Sequence, residues 1–490
     1  MRNRIIKTTA LAALSIAMLS SCANKVEEAL PQEALEILNY ITEPTFKDAD
    51  YNILDFGAVA DGQTDSHDAI IEAIKTCSNN GGGRVIVPAG KFYTRTSIIL
   101  QSNVNLHLEE GSEIIFSENP KDYLPPVLTT WEGTELFNYC PLVYAYHLTN
   151  VAITGKGTLN GNATNGFATM RPQNSQMQSD IRQMGIDQIP VKDRYFEESI
   201  LPPNMVQFFG CRNILVEGIT ICDSPFWTIH PVFCDNVTVR GVTINSFNLN
   251  NDGCDPEYTT NVLIEDCVFN TGDDSIAIKA GRDQDSWRIG QKTRNIIIRN
   301  CDFNSICNGL CIGSEMGGGV ENVYMYNVRI GKCGNGIYFK SNLDRGGFIK
   351  NVWVKDITCE TVSSTIRFET NYHGARGGYY PALFSDFLIQ DVTCGEAVNY
   401  GFYAVGIENH PLKNITLKNV TIEKTPLAYV LKNAENVVCE NVSMNGELMP
   451  VNPTETEVPQ YGGYERKTWH QGRQGEDQLE KGPVAGQPIL

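Results

Sequence analysis

From Asn150 onward the chain repeats one phrase in which polar and apolar positions alternate. The phrase starts at Asn150, Asn213, Asn236, Asn261, Asn295, Asn322, Asn351, Asp386, Asn414 and Asn436. Counting that residue as position zero, positions 1 and 3 are apolar in every copy, as in Val151 and Ile153 or Ile296 and Ile298. This is the period of two of a half-buried strand. Position 5 is always Gly, Asn or Asp, for example Gly218, Asp266, Asn300 and Asn441, the residues that tolerate a left-handed backbone. A second short apolar alternation follows, as at Ile219 and Ile221. After Asn213 the copies are 23, 25, 34, 27, 29, 35, 28 and 22 residues apart. Strand, one-residue corner and strand, repeated at that period, predict an all-β solenoid of stacked coils, a parallel β-helix. Stacking also predicts ladders of Asn side chains, which accounts for 43 Asn beside 43 Gly in 490 residues.

The register sorts other positions. Ile276 and Ile278, Leu310 and Ile312, and Ile337 and Phe339 share positions 15 and 17 of their coils and must point inward. Cys267, Cys301, Cys359, Cys394 and Cys439 also fall on inward positions, which makes them small hydrophobes rather than disulfide or zinc ligands. Before the repeat, Ala69, Ile70, Ala73 and Ile74 share one helical face. That short N-terminal helix is expected to cap the open first coil. Residues 162–204 interrupt the repeat as an insertion beside the binding cleft. Residues 50–448 therefore read as one β-helix domain, 22–49 as a tether with a helix entered at Pro31, and 449–490 as a loose polar tail.

The formal net charge of −18 excludes the polybasic footprint of a nucleic-acid binder. Arg2, Arg4 and Lys7 precede the apolar run Leu11 to Leu19, the order of a signal peptide over residues 1–21. The following Cys22 closes a Leu-Ser-Ser-Cys phrase that resembles the bacterial lipobox. The expectation is a cell-envelope protein held in the outer membrane by a lipid on Cys22.

Three carboxylates carry the candidate chemistry. Asp252 precedes Asp273 by 21 residues, close to one coil, so the pair and Asp274 should stack as neighbours. Paired carboxyls are what glycosidic hydrolysis needs, one protonated for the leaving oxygen and one ionised to activate water. Position 18 holds Lys279, Gly313 and Lys340, an outward cationic column suited to a substrate that carries carboxylates. Arg282 and Tyr338 lie beside that column in sequence and are further candidate binding residues.

These residues resemble glycoside hydrolase family 28, the polygalacturonase family of inverting pectin hydrolases. The match covers about residues 51–445 and rests on Asn250, Asp252, Gly253 and Asp255 together with Gly272, Asp273 and Asp274. It implies a right-handed, pectin-lyase-like parallel β-helix acting on a pectic polysaccharide or oligosaccharide, as a monomer and without metal or other cofactor. By the same resemblance, Asp273 is the general acid and Asp252 with Asp274 holds the attacking water. The segments Ser224–Pro231 and Ile312–Met316 are similar to bacterial members, which places Trp227, His230 and Glu315 with Asn250 as sugar-site candidates. Two departures stand out. The family's usual Gly-His-Gly is replaced by Cys307, Asn308 and Gly309, with Asn308 expected directly above Asp274. The Arg of the family's Arg-Ile-Lys is replaced by Tyr338, while Lys340 is kept. Such losses also mark rhamnogalacturonan-cleaving relatives. A calcium-dependent, pectate-lyase-like site on the same acids, or a glycan-binding β-helix without catalysis, are the alternatives.

Overall fold

The computed structural model describes residues 30–196 and 198–459. The signal peptide, Cys22 and residues 460–490 lie outside the described residues. The segment up to Tyr40 is a unit of its own, whose described part is the helix Gln32–Tyr40.

The second unit is a right-handed parallel β-helix. Three columns of short strands stack coil on coil. One column runs through Val104–Leu108, Thr149–Gly155, Arg212–Glu217, Asp235–Arg240, Thr260–Glu265 and Thr293–Arg299, and each strand pairs in parallel with the next. In the column that carries the site, Ile276 pairs with Leu310 and Leu310 with Ile337, while Ile278 pairs with Ile312 and Ile312 with Phe339. All six are fully buried. The inward column is thus the continuous core that the register predicts.

The corners explain the Asn content more fully than the ladder alone. Position 5 is left-handed as expected, with φ of 56° at Asp266 and 55° at Asn300. The residue at position zero is left-handed as well, from Asn150 at 56° to Asn436 at 56°. Each corner therefore needs a residue that tolerates positive φ and can also bond to the coil beneath. Asn is such a residue: Asn213 donates to Asn150 at 2.9 Å, Asn236 to Asn213 at 2.9 Å, Asn322 to Asn295 at 3.0 Å and Asn351 to Asn322 at 2.8 Å. A second ladder joins Asn327, Asn300 and Asp266.

The helix His67–Asn79 buries Ala69, Ile70, Ala73, Ile74 and Cys77 over the first coil. The glycines that follow let the chain pass close under it. At Gly82, with φ of 98°, a Cβ would lie 2.3 Å from the Asn103 carbonyl oxygen. The fourteen described cysteines are all unbridged, and the five inward ones are at most 2% exposed.

Two boundaries move. Residues from Thr42 onward are bonded to the solenoid rather than tethering it: Thr42 exchanges hydrogen bonds with Asn236, Glu43 pairs with Arg240, and Arg84 donates to the Ala49 carbonyl. The chain from Met449 is likewise not loose at once. Met449 donates to Val442, Thr456 to Leu431, and Glu455 pairs with Lys432. These residues cover the last coil, whose apolar edge would otherwise face water.

Candidate active site

Asp252 and Asp274 meet because their coils stack. Gly253 N–H donates to the Asp274 carbonyl at 2.9 Å and Asp273 N–H to that of Asn251 at 3.4 Å. Asp255, which belongs to the same motif, joins them and is fully buried. Asp273 is the more accessible of the four, being only partly buried. Burial, with Asp255 and Asp273 nearby, pushes the Asp252 carboxyl well above its ordinary range, and burial does the same to Asp255. Asp274 goes the other way. Burial alone would raise it, but Lys340, Lys279 and a hydrogen bond from Asn308 together hold it below the usual value. The cluster thus favours the protonated form at Asp252 and Asp255 and the carboxylate at Asp274.

Asn308 and Cys307 stand where the register puts them. Asn308 Nδ2 donates to Asp274 Oδ1, and its own Oδ1 accepts from Asn335 at 2.6 Å, which fixes the amide's orientation. The Cys307 Sγ and one oxygen each of Asp273 and Asp274 lie within 4.8 Å of one another. This is the arrangement among the described residues that could hold a cation. It does not suit calcium, which takes six or more oxygens, and Lys340 Nζ already lies 3.3 Å from Asp274 Oδ2.

The lysine column is turned away from the core but is not solvated. Lys279 is 4% exposed, 3.1 Å from Glu315 and 4.0 Å from Asp252, with its Nζ 4.8 Å over the Trp227 ring. Trp227, His230, Arg282, Glu315 and Tyr338 are likewise engaged within the protein. Trp227 is 2% exposed and stacks on Phe226 within a separate core under the insertion, so it supports Lys279 instead of presenting a face to sugar. His230 is fully buried between Gln207 and Glu257, 3.0 Å from each. It cannot reach a substrate, because both ring nitrogens are used inside the wall. Arg282 and Glu315 are committed to one ion-pair chain: Arg282 bonds Glu315 and Glu132, and Glu315 also takes Lys279 and Arg345. Tyr338 donates its hydroxyl to Glu369 and lies under the Arg367 guanidinium. Asn250, with φ of 56°, accepts from Arg171 of the insertion.

Glu315 is held well below the ordinary carboxylate value: burial opposes this, and Lys279, Arg282 and Arg345 outweigh it. A depressed folded pKa means that the stabilisation is present above the unfolded value of about 4.3 and is lost as pH falls toward the folded value. Glu315→Gln is expected to cost about 3–5 kcal/mol at neutral pH, because it strands buried cations. The penalty should shrink as pH drops below about 4. Urea titrations of both proteins at pH 7 and pH 3.5 measure this, and an equal penalty at the two pH values rules it out.

Sequence reasoning did not find several residues here. Tyr372 and His373 come from the segment 370–382, between the strands Phe348–Glu369 and Leu383–Val405. Lys340 Nζ lies 5.1 Å over the Tyr372 ring. Burial pushes the Tyr372 hydroxyl up to about 12, with the charges of Cys307, Asp273 and Asp274 adding to it against Lys340. Glu132 comes from the hairpin Val127–Asn138 and Arg182 from the helix Ser175–Ile186. None of these lies in the repeat, so no register pointed to them.

The insertion leaves the solenoid after Asn160 and returns at Val206. Its Arg194 and the helix residue Asp285 form a bidentate pair of 2.9 and 3.0 Å with both side chains fully buried. At its far end Ile186 packs on Gly377, where a Cβ would come within 2.8 Å of the Ile186 Cδ1. The insertion thus meets the 370–382 segment, and along the chain the coils that carry Asp252, Asp273 and Asp274 lie between the two points at which these segments leave the solenoid.

The family model described as Glycosyl hydrolases family 28 matches residues 77–447. An exopolygalacturonase structure from Thermotoga maritima superposes with a TM-score of 0.82 at 38% identity, over 85% of this chain and 96% of that one. A probable polygalacturonase of Vitis vinifera is 28% identical over 76% of this chain and 74% of its own. The exo-poly-alpha-D-galacturonosidase of Dickeya chrysanthemi is 28% identical over 70% of this chain and 61% of its own.

Proposed function

This chain belongs to glycosyl hydrolase family 28, and from that premise we propose that it is an exo-acting polygalacturonase, removing terminal galacturonate from pectic chains with inversion. The observation that carries the exo mode is the meeting of the insertion with the 370–382 segment at Ile186 and Gly377, which favours a pocket for a chain end over a groove open at both sides. The likeness to the Thermotoga maritima exopolygalacturonase supports the same reading.

In this mechanism Asp273, the accessible carboxyl, protonates the glycosidic oxygen. Asp274, kept ionised by Lys340 and Lys279, takes a proton from the attacking water. Asp252, whose protonated form burial and its carboxyl neighbours favour, holds that water. Lys340 is poised for a substrate carboxylate once the sugar displaces part of its contact with Asp274. The cation pairing of Asp274 also disfavours the calcium-dependent lyase alternative.

Chromatography of the products from a defined tetragalacturonide tests the proposal. Monomer as the first product, with trimer accumulating beside it, is expected. Dimer from mid-chain cleavage rejects the exo mode, and an ultraviolet-absorbing unsaturated product rejects hydrolysis. We also propose anchoring in the cell envelope through lipidated Cys22. Palmitate labelling that persists in Cys22→Ser would overturn it.

A further inference from the structure

Beside the carboxylates lies a second cationic site that the acid–base chemistry does not use. Glu132 Oε2 is shared by two guanidinium groups, at 2.5 Å from Arg182 and 3.3 Å from Arg282. Arg376, on the segment that meets the insertion, is held by its backbone: its N–H and that of Gly377 donate to Asp344 Oδ2 at 2.5 and 3.0 Å. Its guanidinium makes no hydrogen bond or ion pair among the described residues and is exposed.

The acids of this region are already committed. Glu132 serves Arg182 and Arg282, Glu315 serves Lys279, Arg282 and Arg345, and Asp283 serves Arg345. The Arg376 guanidinium has no ion-pair partner among the described residues, although the buried Asp344 carboxylate that takes its backbone N–H lies near enough to stabilise its charge. Two buried nitrogens nearby are also unmet, since Arg182 Nε and His373 Nδ1 have no hydrogen-bond partner. Unpaired buried polar groups of this kind cost stability, and a site that gains them as partners on binding recovers that cost. The charges feel one another. Burial and then Arg282 push Arg182 down to about 10, with Arg376 adding to the repulsion. Burial, then Lys340, Arg376 and Arg182, push the His373 imidazole down to about 4. His373 is therefore neutral at working pH and offers a ring nitrogen to a hydroxyl or carboxylate.

We propose that Arg376 and Arg182, with His373 between them and Lys340, bind the carboxylate of the terminal uronate and so make a free acid at the chain end a requirement for hydrolysis. The arrangement fits a carboxylate better than a neutral sugar. A guanidinium fork matches its two oxygens, and a cation without a direct ion-pair partner, held beside the like charges of Arg282 and Arg345, discriminates by charge. Because the two arginines come from the insertion and from the segment it meets, the wall that selects for a chain end also reads the charge of that end. This inference rests on the polygalacturonase reading above.

The test is a cycle between enzyme and substrate. Trigalacturonate and the same trimer methyl-esterified only at its non-reducing terminal residue are compared with wild type, Arg376→Gln, Arg376→Lys and Arg182→Gln. Wild type is expected to favour the free acid by about 30-fold in kcat/KM. In Arg376→Gln that ratio should fall about tenfold, through KM, and Arg376→Lys should restore part of it. Arg376 is exposed and unbonded, so thermal midpoints should hardly move and misfolding will not imitate the effect. An unchanged ratio in both Gln variants overturns the clamp while leaving the hydrolase reading intact. Failure of the wild type to hydrolyse either trimer removes the polygalacturonase reading, and the clamp with it.

Discussion

Asp273→Asn is expected to lower kcat on oligogalacturonides by about 10³-fold or more, with little change in binding or stability. The amide keeps the shape and polarity of the carboxyl but has no acidic proton for the departing oxygen. Asp273 is only partly buried, and its Oδ1 accepts the Asp274 N–H at 2.9 Å, a bond that the oxygen of an amide can keep. Single-turnover rates and a calorimetric binding isotherm, measured on the same preparation, separate chemistry from affinity. A variant that keeps a tenth of the wild-type rate would move the acid role elsewhere. Intact binding with the rate gone is the expected pattern.

The second large effect concerns the wall. Arg194→Met should destabilise the protein by about 3–5 kcal/mol, since it leaves the fully buried Asp285 without its bidentate partner. Arg194 also donates to the Ile189 and Glu135 carbonyls, so the damage should centre on the insertion. Early cleavage within 162–204 by trypsin and a lower urea midpoint are the readouts. The double variant Arg194→Met with Asp285→Leu should recover part of the loss, because an apolar pair avoids a buried carboxylate left with the half-exposed Arg288 as its remaining cation. If the double variant is less stable than the single one, the ion pair is not the anchor.

Much of the solenoid could be read from the chain. A coil satisfies its own constraints locally: Val151 and Ile153 alternate because strands alternate, and Asn300 sits at a corner because few residues accept positive φ and also bond to the coil below. Asp252, Asp273 and Asp274 came together in the sequence because a 21-residue separation is close to one coil. The same register placed Asn308 over Asp274. It also placed Lys279 facing away from the core, and the structure adds that Glu315 and Trp227 close over it, so that it is buried all the same.

The sequence by itself therefore determined the repeat, the inward core and the stacking of the acids, all of which follow from period and backbone geometry along a single axis. Only the tertiary structure decided which carboxyls are pushed up and which is held down, that His230 and Trp227 are buried in the wall, and that Arg182, Arg376 and His373 are near enough for their charges to act on one another. Those residues stand on segments outside the repeat and lie far apart in the chain. Their meeting depends on how the insertion is pinned by Arg194 and Asp285, and their charge depends on burial and on neighbours brought in from other coils. A linear register contains neither.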